Sequence, residues 1–128
     1  PILMEKVARN VLKNRRRFRA LVLLADQSPG RRDNVYWTEW LNQPTGFFLG
    51  PATISQLTGF PIMFARCRRK TRGHYHLSLI PLVETPGQLT EEQIIEAYIR
   101  AAEQTIREEP ESYLWSNRRW KHQPPEIT

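Results

Sequence analysis

The 128-residue sequence has a single cysteine, Cys67, so it forms no internal disulfide, and it fits a reducing compartment. The apolar neighbours of Cys67 predict a packed thiol, not a nucleophile. No apolar run reaches the ~18–20 residues of a membrane span, and the amino terminus does not read as a signal peptide. There is no glycine-rich phosphate loop, no cysteine pair with zinc spacing and no Gly-x-Ser-x-Gly turn. None of His74, His76 and His122 has an acid five residues downstream, so the chain shows no complete acid–base pair of that spacing. His74 and His76, two apart, could share a metal, but a third ligand is missing; surface histidines are the expectation, with no metal and no cofactor.

What is present is one ordinary globular domain, 40% hydrophobic and 25% charged, with a net charge of +6. The cations cluster at Lys13–Arg19, Arg66–Arg72 and Arg118–Lys121, whereas the acids collect between Glu84 and Glu111. A segregated basic surface points to an anionic partner; a solvated face is the plainer reading of any one cluster.

The order of elements rests on hydrophobic period. Leu3, Val7 and Val11 predict a helix over 2–17, with Glu5 early and cations late, as the helix dipole favours. Ala20–Ala25 is unbroken apolar sequence, which predicts a strand buried on both faces, the mark of a parallel sheet. It ends in Asp26-Gln27-Ser28-Pro29-Gly30, and ligands of open α/β sheets sit outside the carboxyl ends of strands. Asp26 and Gln27 are therefore site candidates, unless Asp26 only caps its own turn.

Residues 31–49 read as a long loop, broken by Pro44 and Gly46, whose aromatics line a pocket, rest against a membrane interface or, on the plainer reading, pack under the loop. Gly50-Pro51 opens a short helix with Ile54 and Leu57 inward, closed by Gly59. Pro61–Cys67 reads as a strand. After the Arg72-Gly73 turn comes an antiparallel partner in which Tyr75, Leu77, Leu79 and Pro81 alternate with His74, His76, Ser78 and Ile80, the histidines lying on the more polar side and the Tyr75 face expected inward. Thr90 and Gln93 form a capping box for a helix to about Glu109, stopped by Pro110. The expected fold is α/β, a small mixed and mainly parallel sheet flanked by helices. Residues 1–122 form the domain and 123–128 a tail.

Ala25-Asp26-Gln27-Ser28-Pro29, Trp37-Thr38-Glu39-Trp40-Leu41, Phe47-Phe48-Leu49-Gly50-Pro51 and Pro110–Lys121, in that order, resemble the carboxyl-terminal half of a lipid A biosynthesis acyltransferase of the lauroyl/myristoyl type. That family belongs to the glycerolipid (lysophospholipid) acyltransferase superfamily. The likeness covers residues from about 5 to 121. It implies a partial acyltransferase-like fold and fatty acyl transfer from acyl carrier protein to a phosphorylated glycolipid, at the cytoplasmic face of the bacterial inner membrane.

In the family a His-x-x-x-x-Asp/Glu motif supplies the base. That motif is absent here, so the resemblance implies a partial enzyme, soluble and inactive alone. Membrane contact would come through an amino-terminal half. Asp26 and Gln27 match supporting positions. Ser28, Arg31, Arg118 and Arg119 are candidates for substrate binding, the arginine pair serving either to hold phosphate or to brace the fold. Asn117 departs from the family's usual histidine. Nucleic acid is not the expected partner; the alternative reading is a free-standing basic module for nucleic acid or another anionic partner.

Overall fold

The computed structural model describes residues 7–17, 19–30 and 34–124. The start of the first helix, with Leu3, Met4 and Glu5, lies outside the described residues, as do Arg31 and the end of the tail. In chain order the elements are α1 (Val7–Lys13), β1 (Val35–Trp40), β2 (Gln43–Phe48), α2 (Gly50–Thr58), β3 (Ile62–Thr71), β4 (His74–Val83) and α3 (Glu91–Glu108). Two antiparallel sheets result, β1–β2 and β3–β4. The class is α/β as expected, but the mainly parallel sheet is not found.

The largest correction concerns Ala20–Ala25. The run has no regular secondary structure, and Val22 and Leu24 are 89% and 77% exposed. An apolar run becomes an interior strand only when neighbouring strands take its backbone groups, and no described strand pairs with it.

The expected aromatic loop is instead the β1–β2 hairpin, in register Trp40↔Gln43, Thr38↔Thr45 and Tyr36↔Phe47. Its two-residue turn is Leu41-Asn42, both left-handed, with φ of 51° and 62°. That is the primed turn geometry matching strand twist. The Leu41 N–H donates to Glu103 Oε1 on α3 at 3.2 Å, which holds a leucine in a conformation it seldom takes. Pro44 is tolerated because it sits in a two-stranded ribbon with a free edge. Gly46 is required: a Cβ there would lie 2.8 Å from Val35 Cγ1 and 3.2 Å from the Trp37 ring.

The core joins Trp40, Phe47 and Leu49 of the hairpin region to Ala52 of α2, Val83 of β4 and Ile94, Ile95 and Ile99 of α3. The sequence reading placed the α3 capping box correctly: Gln93 N–H donates to Thr90 Oγ1, and Thr90 N–H to Gln93 Oε1. α2 ends on left-handed Gly59. Its inward residues are Ala52 and Ser55, however, and Leu57 is 55% exposed.

On β3–β4 the inward face is not the one expected. Phe64, Arg66 and Arg68 alternate inward and Tyr75, Leu77 and Leu79 lie exposed, with Cys67 also at the surface and not packed. The reason is electrostatic: Arg66 and Arg68 pair with Glu108, and Arg68 also with Glu109, at the end of α3. Clusters segregated in sequence are thus joined in space, and part of the second basic cluster is neutralised.

Glu103 is the other tie between layers. Burial opposes its ionisation, but the Arg107 side chain, the Leu41 N–H and the charges of Arg107 and Arg100 outweigh that and hold its carboxyl below the usual range. A lowered folded-state value means stability present above the unfolded value near 4.5 and lost as pH falls through the folded one. Urea titrations from pH 6 to 3 are expected to show this acid-linked loss, and Glu103→Gln to flatten it.

Candidate functional site

The two most distinctive stretches of the sequence meet. Ser28 Oγ donates to the carbonyls of Arg119 at 2.6 Å and Arg118 at 3.1 Å, across some ninety residues of chain. Pro29 beside it is buried. The turn after the apolar run is therefore fastened to the carboxyl-terminal segment.

That segment enters the core through Arg119, which is 2% exposed. Its Nη2 donates to the Gly46 carbonyl at 2.8 Å, and its guanidinium carbon lies 4.4 Å from the Phe47 ring centroid and 5.6 Å from that of Trp40. Among the described residues no carboxylate stands within ion-pair distance of it. Ring faces stabilise the cation only partly. Trp120 completes the joint: its Nε1 donates to Thr45 Oγ1 at 2.8 Å, and Thr45 Oγ1 donates to the Gln43 carbonyl at 2.9 Å. Around these atoms lies a hollow lined by Pro29, Trp37, Thr45, Gly46, Arg119 and His122, of about one water molecule's size. It has no room for a fatty chain.

Asp26 and Gln27 lie exposed on a bend, Arg118 is exposed, and Arg31 lies outside the described residues. The Asp26 charge still reaches the cluster. Burial lifts the phenols of Tyr98 and Tyr113 above the usual tyrosine range; Asp26 adds to this and Arg119 opposes it. Burial also pulls the Arg119 guanidinium below its usual range, against Tyr113, Tyr98 and Asp26. Tyr113, stacked edge-on against Trp40 at 6.0 Å, was missed by the sequence reading as a site residue, as were Tyr98 and His122. Their only early signal was position: Tyr113 follows the Pro110 stop and Tyr98 sits in the stripe of α3.

No three His, Cys, Asp or Glu side chains gather among the described residues to hold a metal ion. No helix among them is long and apolar enough to cross a membrane.

An α/β domain whose terminal arginine is pinned beneath an acidic turn is the class these observations define. The model of the bacterial lipid A biosynthesis acyltransferase family matches residues 3–122, and the chain belongs to that family. No curated protein and no solved structure matches it.

Ser28→Ala removes both hydroxyl bonds and is expected to cost ~1 kcal/mol in urea denaturation, whereas Ser116→Ala, at an exposed position, should change stability by less than ~0.5 kcal/mol.

Proposed function

We propose that the chain is the carboxyl-terminal part of an acyltransferase that moves a fatty acyl group from acyl carrier protein to a hydroxyl of a phosphorylated lipid A precursor or related glycolipid. The family match over residues 3–122 carries this reading. In the reaction a base takes the hydroxyl proton, the oxygen forms the new ester bond, and the carrier's thiolate leaves and is protonated. No His-x-x-x-x-Asp/Glu spacing occurs in the 128 residues, so in this reading the base lies outside them. The work belongs at the cytoplasmic face of the inner membrane, where both substrates would be met.

The roles divide by exposure. Arg119, enclosed and bonded to Gly46, suits bracing; Arg118, exposed on the adjacent position, suits a phosphate. Ser28 fastens the turn from which Asp26 and Gln27 project, and Arg31 follows in sequence as a further phosphate candidate.

The test is transfer of labelled laurate or myristate from acyl carrier protein to a phosphorylated lipid A precursor. It compares the 128-residue chain with a protein extended by its upstream coding sequence. The chain alone is expected to show no transfer. The extended protein is expected to acylate the glycolipid and to lose at least about tenfold in rate with Arg118→Ala. An extended protein that leaves the glycolipid unmodified would overturn the reading.

A further inference from the structure

The two faces of the β3–β4 ribbon are unlike. Inward, Phe64 meets Tyr98 of α3 with ring centroids 5.9 Å apart, and Arg66 and Arg68 pair with Glu108. Outward, three successive cross-strand pairs, Met63↔Pro81, Ala65↔Leu79 and Cys67↔Leu77, carry no side-chain nitrogen or oxygen. Met63, Leu77 and Leu79 are 52%, 62% and 60% exposed. A single exposed leucine is ordinary, but a contiguous dry stripe marks a contact surface.

Charge says what meets it. The next pair, Arg69↔Tyr75, sets a guanidinium opposite a phenol, and Lys70 and Arg72 follow at the tip. These three cations are exposed, and no ion pair engages them among the described residues. Ile62–Val83 contains no Asp or Glu, so nothing in the ribbon offsets them. The inner-face arginines, by contrast, are matched by Glu108 and Glu109. The outer face thus passes from dry side chains through an aromatic to unmatched cations. A bilayer offers the complement of that order: hydrocarbon, interface, anionic headgroup.

We infer that this face lies on a lipid surface bearing anionic headgroups. Met63, Leu77 and Leu79 dip toward the acyl chains, Tyr75 sits at headgroup level, and Arg69, Lys70 and Arg72 meet the phosphates. The acyl-transfer reading brings in the membrane through its substrates; this contact is made by the chain itself and adds to that reading. Vesicle binding and acyl transfer are measured separately, so either can fail alone.

Cys67, the only cysteine, lies exposed in the middle of the stripe and serves as the reporter. An environment-sensitive fluorophore is attached there in the 128-residue chain. A control carries it on Gln104→Cys in a Cys67→Ser background, at an exposed position of α3, the element against the inner face. Vesicles of equal parts phosphatidylglycerol and phosphatidylcholine are expected to shift the Cys67 fluorophore to the blue, and nitroxide-bearing acyl chains to quench it. The control should show neither effect. Binding should weaken at least about tenfold on phosphatidylcholine alone, and likewise on the anionic vesicles in about 0.5 M salt. Arg69→Gln, Lys70→Gln and Arg72→Gln together are expected to lower affinity about a hundredfold, about fivefold per cation. Leu77→Ser with Leu79→Ser is expected to lower it at least about tenfold. Circular dichroism checks that these surface variants fold; if one does not, quenching of the native chain decides. Binding that leaves the Cys67 fluorophore unquenched would assign the contact to another basic cluster and overturn the inference. A fluorophore already shifted without lipid, in a chain that sediments as a dimer, would assign the face to a second copy and overturn it too. So would the absence of vesicle binding.

Discussion

One buried guanidinium holds the architecture together. Arg119 donates to the Gly46 carbonyl, lies over Phe47 and beside Trp40, and through its own backbone carbonyl accepts from Ser28. Three pieces far apart in sequence converge there: the acidic turn, the β1–β2 hairpin and the carboxyl-terminal segment. An arginine suits this place because its planar fork can stack on a ring and donate in plane at once. Gly46 suits it because a Cβ there would meet Val35 and Trp37. Two-stranded sheets are marginal by themselves, and β1–β2 owes its place to this pin and to the Trp40 core.

The electrostatics follow a related pattern. Four acids in and just after α3 are spent on the protein's own cations: Glu108 and Glu109 on Arg66 and Arg68, and Glu96 and Glu103 on Arg100 and Arg107. Exposed and outside these ion pairs are Lys13, Arg15, Arg16 and Arg17 at and after the end of α1, Arg69, Lys70 and Arg72 at the hairpin tip, and Arg118 and Lys121 beside the pin. A count of basic residues taken from sequence overstates the surface offered to an anion.

Much of the fold was legible where a local signal settles the structure. Thr90 and Gln93 announced α3, Pro51 and Gly59 bracketed α2, and Arg72-Gly73 marked the β3–β4 turn. The first hairpin was not legible, because Leu41-Asn42 lacks the glycine such turns usually carry and is held instead by a bond to Glu103. The faces of β4 were misassigned because alternation defines two faces without saying which is inside; Arg66 and Arg68 decided it by seeking α3. Ala20–Ala25 failed for a different reason. Hydrophobicity can ask for burial, but only a neighbouring strand can grant it. Of the site, Asp26, Ser28 and Arg119 were singled out in sequence, but their meeting was not readable, since it depends on a hydroxyl reaching carbonyls across the whole chain.

The most direct test of the pin is backbone amide hydrogen exchange on the native chain and on Arg119→Leu, read residue by residue. The account predicts that protection is lost selectively in Val35–Phe48, while the amides around Ile95 and Ile99 in α3 keep theirs. Unchanged protection in the hairpin, or an equal loss along the whole chain, would contradict it.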